Sequence, residues 1–178
     1  MSKAISLILV VLVVVSVGCQ GVVQTETPTV ASSELSPPGE DVDSYLASQL
    51  LHASFGGVVF CAHQTLAVES KEGATTSYLW ALCREFYCDQ QRLAGGSGVS
   101  LPVALEAKRQ DGGRWSFAHA IPRDGLDYGA DVSALFPRYI QRLITPQTVE
   151  ATAEFNRRVA ALQDTVTNAA QDHFSSCQ

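Results

Sequence analysis

Apolar residues along this chain follow three patterns: an unbroken run at the start, helical spacing near each end of the remainder, and strict alternation between. Glu40 to Ala53 carries Val42, Tyr45, Leu46, Leu50 and Ala53 at helical spacing. Glu40, Asp41 and Asp43 sit where the helix dipole favours acids, and Gly56-Gly57 lie just beyond the end. A first amphipathic helix is predicted there. Gly57 to Ser70 then alternates through Val58, Phe60, Ala62, Leu66 and Val68, and Thr76 to Gln90 does so with many aromatics, with Lys71-Glu72-Gly73 as the turn between. These runs predict a long antiparallel hairpin.

The glycine-rich stretch Leu93 to Gly98 reads as a flexible break before a second hairpin. Val99, Leu101, Val103, Leu105 and Ala107 alternate along its first strand, Asp111-Gly112-Gly113 turns, and Trp115, Phe117 and Ile121 alternate along its second. Pro102 cannot donate to a ladder and marks an edge or an unpaired position. Asp131 to Phe136 predicts a short helix with Asp131 as cap, and Arg138 to Ile144 another. Thr145-Pro146 reads as the start of a long helix running through Phe155, Leu162, Val166, Ala170 and Phe174. The order of elements predicts an α+β domain: a four-stranded antiparallel meander with an N-terminal helix and a long C-terminal helix, covered on one face.

The unbroken run has a different meaning. Met1 to Val17 holds Lys3 and an otherwise mostly apolar stretch, and Val17-Gly18-Cys19 places small residues before a cysteine, the pattern of a bacterial lipoprotein signal peptide. Ser16 stands where that pattern usually has an aliphatic residue. A spanning helix needs about 20 apolar residues, and this run is shorter. The expected organisation is a signal peptide over 1–18, a Ser/Thr/Pro linker over 19–39 and a single domain over 40–178. Lipid on Cys19 would hold the mature chain to a membrane of the bacterial cell envelope, each buried CH₂ contributing about 0.8 kcal/mol. The linker shows neither helical nor strand periodicity, and as a coil would span roughly 25 Å.

Charge narrows the partners. The chain's formal net charge is −6, and loss of the leader with Lys3 makes it more negative. No cluster of Lys and Arg exists to hold nucleic acid or anionic headgroups. The expected partners are the membrane, through Cys19, and an envelope protein or small ligand, with the chain itself a monomer.

With Cys19 set aside, Cys61, Cys83, Cys88 and Cys177 remain, an even number in an oxidising compartment. A turn near Lys71-Glu72 puts Cys61 opposite Cys83, while Cys88 points to the other face, where Cys177 could reach it. Disulfides Cys61–Cys83 and Cys88–Cys177 are expected, with buried free thiols as the alternative. Candidate chemistry is sparse. Cys61 and His63 share one side of a strand, and with Cys83 opposite they approach a metal-ligand cluster, but no paired Cys-x-x-Cys accompanies them. Gly95-Gly96-Ser97-Gly98-Val99 lacks a glycine that a nucleophile elbow requires. His119 falls on the apolar side of the fourth strand. No cofactor is expected. An envelope hydrolase or metal-dependent enzyme built on Cys61, His63 or His119 is the alternative to a non-catalytic binding or sensing module.

Arg123, Asp124, Asp127 and Tyr128 follow the fourth strand in a loop turned by Asp124-Gly125, and are the candidate binding residues. Their acids lack the alternation of an EF-hand. Pro122-Arg123-Asp124-Gly125, Tyr128, Asp131-Val132 and Leu135-Phe136-Pro137, with Tyr78-Leu79-Trp80-Ala81 and Gly98-Val99-Ser100-Leu101-Pro102-Val103 before them, resemble a family of uncharacterised small bacterial lipoproteins. Over residues 56–144 the chain is also similar to the extracytoplasmic C-terminal region of some membrane-bound antirepressors related to β-lactamase regulators. Those regulators carry a His-Glu-x-x-His zinc motif in a separate domain, and this chain has none. Leu126 stands where the family usually has Ser. The resemblance implies an accessory or sensing module and no catalytic residue.

Overall fold

A computed structural model describes residues 36–71 and 74–177. The expected signal peptide, Cys19, most of the linker and the Glu72-Gly73 turn lie outside the described residues. Helix α1 (Gly39–Leu50) leads into strands β1 (Val58–Lys71), β2 (Ala74–Asp89), β3 (Arg92–Arg109) and β4 (Trp115–Ala120). Helices α2 (Tyr128–Leu135), α3 (Arg138–Ile144) and α4 (Val149–His173) follow. The strands form one antiparallel sheet in the order β1-β2-β3-β4. This is an α+β fold.

Helices cover the sheet on both faces, where the sequence reading expected one. On one face Val42 and Leu46 of α1 pack on Leu79, Ala81, Cys83, Val103 and Leu105. On the other, Leu162, Val166 and Ala170 of α4 pack on Ala62, Leu82 and Phe86, while Val132 of α2, Phe136 just past its end, and Ile140 and Ile144 of α3 gather around Tyr78. Burial from both sides explains the near-continuous apolar run Tyr78-Leu79-Trp80-Ala81-Leu82-Cys83 in the central strand β2.

Cys61 pairs with Cys83 directly across β1 and β2, and the two are joined in a disulfide. A bulge at Leu66 sets this register. Counting back from Lys71↔Ala74 without it, Cys61 would face Arg84. Cys88 points to the α4 face, and a disulfide ties it to Cys177 just past the end of α4. Two disulfides are the chemistry of an oxidising, extracytoplasmic compartment. No described helix is long and apolar enough to cross a membrane.

Three local features differ from the sequence expectation. Leu93 to Gly98 is the first part of β3, and the chain reverses instead at Gln90-Gln91, both with positive φ (46° and 63°). The long helix starts after Thr148, whose hydroxyl accepts from the Ala151 N–H at 3.2 Å; the Thr145 hydroxyl is engaged by the Gln141 carbonyl, closing α3. Asp127, not Asp131, occupies the cap position of α2.

Candidate functional site

The loop after β4 is held from within. Arg123 donates its backbone N–H and two guanidinium N–H groups to the Asp131 carboxylate, at 2.9, 2.8 and 2.9 Å. Those bonds hold the Asp131 carboxyl down at about 2. Asp127 lies 3.5 Å from the same guanidinium. Arg123 therefore closes the loop onto α2, and the Tyr128 ring packs against the Phe136 and Ile140 cluster. Asp124 and Leu126 remain on the outside, Leu126 fully exposed.

The other candidate residues are separated. Cys61 is committed to its disulfide. His63 donates from Nδ1 to Asp43 of α1 at 2.6 Å, while His119 shares a 2.9 Å hydrogen bond with the Tyr45 hydroxyl, farther along the same helix. The two histidines pin α1 to strands at opposite edges of the sheet, β1 and β4. Among the described residues no three His, Cys, Asp or Glu side chains converge as a metal-binding set.

Two adjacent charges in β2, absent from the sequence candidates, organise the far end of the sheet. Glu85 is fully buried on the α1 face. Its carboxylate accepts from the backbone N–H groups of Ser54, Phe55 and Gly57 at 2.9, 2.8 and 3.0 Å, and from the Ser97 hydroxyl at 2.8 Å. Burial alone would raise its pKa, but the bonds from Gly57, Ser97, Ser54 and Phe55 outweigh burial and lower it to about 2. Gly96 makes room for it: a Cβ there would stand 2.7 Å from a Glu85 oxygen. Opposite Glu85, the β2–β3 register shifts across Gly96 and Ser97.

Arg84 points to the other face. Its side chain runs over Gly98, its guanidinium lies on Gly95, where a Cβ would overlap it, and it stacks 5.3 Å from the Phe86 ring centre. Among the described residues no carboxylate pairs with it. The glycines of β3 thus have particular tasks, Gly95 and Gly98 beneath a cation and Gly96 beside an anion.

Beside Arg84 is an open groove of about 370 Å³ lined by Gly96, Gly98 and Ser100 of β3 and by Gln163 of α4. The Ser100 hydroxyl accepts from the Trp80 indole at 2.9 Å, which orients it along the groove floor. The groove lies where α4, packed mainly over β1 and β2, borders β3, and where β4 does not reach, since β4 pairs only with Ala104 to Arg109. From Arg92 to Val103 the outer side of β3 has no strand beside it among the described residues. The useful sequence signal was Arg84-Glu85 within an otherwise apolar strand facing a glycine cluster.

No protein-family profile, curated protein or solved structure matches this chain.

Proposed function

We propose that this protein is a membrane-anchored extracytoplasmic lipoprotein whose domain is a non-catalytic binding module. In this reading Cys19 carries the lipid and the Ser/Thr/Pro linker carries the domain away from the bilayer. The observation that supports binding is the outer side of β3 at Gly98 and Ser100, with no described strand beside it, next to Arg84, which no described carboxylate pairs. Exposed strand edges are commonly covered, shortened or charged, because unpaired N–H and C=O groups attract other chains. Here the edge lies next to a concave surface that offers a cation and the polar side chains of Ser100 and Gln163 for recognition. The Asp124 to Tyr128 loop is a weaker candidate, since its arginine is already satisfied by Asp131.

Two arms test this reading in cells. Incorporation of a labelled fatty acid should disappear on Cys19→Ala, and unchanged labelling would overturn the anchor. A photo-crosslinking residue at Ser100 should capture a discrete envelope component, and one at Asp164, on the exposed side of α4, should not. Equal capture from both positions would overturn the binding module.

A further inference from the structure

This inference rests on the binding-module reading and names the class of ligand. The direction of the unpaired backbone groups follows from Pro102. That residue pairs in register with Trp80 of β2, and its nitrogen carries no hydrogen, so the position suits one whose N–H would face away from β2. In a strand both polar groups of a residue point to the same side, and residues two apart agree. Ala104, two positions on, accordingly faces β4, pairing with Ala120. Ser100 and Gly98, two and four positions back in unbroken register with β2, turn N–H and C=O outward where no described strand lies. The bulge at Gly96-Ser97 ends the regular edge on one side and Ala120, the last residue of β4, ends it on the other. The window is therefore short: the N–H and C=O groups of Gly98 and Ser100, both exposed, since Pro102 itself is fully buried.

A chain laid along this window would place alternate side chains over the α4 face. There they would meet Gly98, Ser100, Gln163 and the Arg84 guanidinium. The glycines supply no competing side chain. Arg84 supplies the only charge lining the groove, and it has no carboxylate partner among the described residues. We propose that the outer edge of β3 at Gly98 and Ser100 takes up an extended peptide as a fifth strand, with an acidic side chain of that peptide lying against Arg84. The occupant is thus an extended segment of a partner protein carrying Asp or Glu. Backbone pairing would contribute affinity, and the carboxylate would fix the register.

The probe is a blocked eight-residue Thr/Val peptide with one central Glu, titrated into the full-length protein in detergent while backbone amide resonances are followed. Saturable shifts are expected at Gly98 and Ser100, with slowed hydrogen exchange at both amides. Replacing the peptide's Glu by Gln should weaken binding about fivefold, and so should Arg84→Gln in the protein. N-methylation of the peptide's ladder-forming amides should abolish binding, an arm that leaves the protein unaltered. Absence of shifts with the Glu peptide, or equal affinity for the Gln peptide, would overturn the proposal. So would protection of Ser100 without peptide, whether it grows with protein concentration, which assigns the edge to a second copy, or vanishes on deleting residues 20–35, which assigns it to the chain's own linker. Crosslinking from Ser100 alongside failure of the Glu peptide would leave the binding module standing and remove only this ligand class.

Discussion

A carboxyl group taken out of water ordinarily keeps its proton, yet Glu85 is held charged by the N–H groups of Ser54, Phe55 and Gly57 and the Ser97 hydroxyl. Its pKa falls from the usual 4.5 to about 2, so the folded state binds this proton less readily than the unfolded chain does. The stability it contributes is complete above about pH 4.5 and is lost as pH falls toward 2. Asp131 adds a second contribution of the same sign, from 3.8 to about 2. Glu85→Gln should lower the urea midpoint at neutral pH, because an amide sets a donor against the N–H groups of the 54–57 segment. It should also flatten the loss of stability between pH 4.5 and 2. Urea midpoints across that range test this, and parallel curves for the two proteins would contradict it. Arg84 and Glu85 were visible in the sequence as two charges in an apolar strand. Their tasks were not, because the donors to Glu85 come from a segment about thirty residues earlier and the floor under Arg84 from the next strand.

At the scale of elements, local preference and tertiary context disagree most at the β2–β3 hairpin. The glycines that looked like a link are spent on close approach to Arg84 and Glu85, while the actual two-residue turn is made by Gln90 and Gln91 in left-handed backbone. Such turns favour Asn-Gly, since a side chain with positive φ crowds its own backbone. Replacing Gln90→Asn and Gln91→Gly together should stabilise the fold by about 1 kcal/mol, raising Tm by roughly 2–4 °C for a chain of this size. A thermal melt checks it, and an unchanged or lowered Tm would contradict the strain at this turn. The first hairpin was more legible. Its turn and alternation placed Cys61 against Cys83, although a bulge at Leu66, which no sequence signal announced, is needed to bring them together. The start of α4 was misread for a comparable reason: Thr145 and Thr148 are both suitable caps, and only the packing of α3 decides which hydroxyl is free.

For the whole molecule, the alternation of strand positions and the helical spacing at either end were enough to give the α+β class and the meander order. They were not enough to show two covered faces, although the nearly continuous apolar run of β2 carried that information. Covering both faces has a consequence for function. Helices lie above and below β1 and β2, while β3 extends past β4 with no strand on its outer side from Arg92 to Val103 among the described residues. That exposed stretch, beside Arg84, is the feature on which the binding reading depends. Hydrogen exchange across residues 95–102 tests it most directly, comparing the intact protein in its own membranes with the same protein purified in detergent. Slow exchange at Gly98 and Ser100 is expected in the membranes, where the partner is present, and fast exchange after purification. Equal exchange in the two preparations would contradict it.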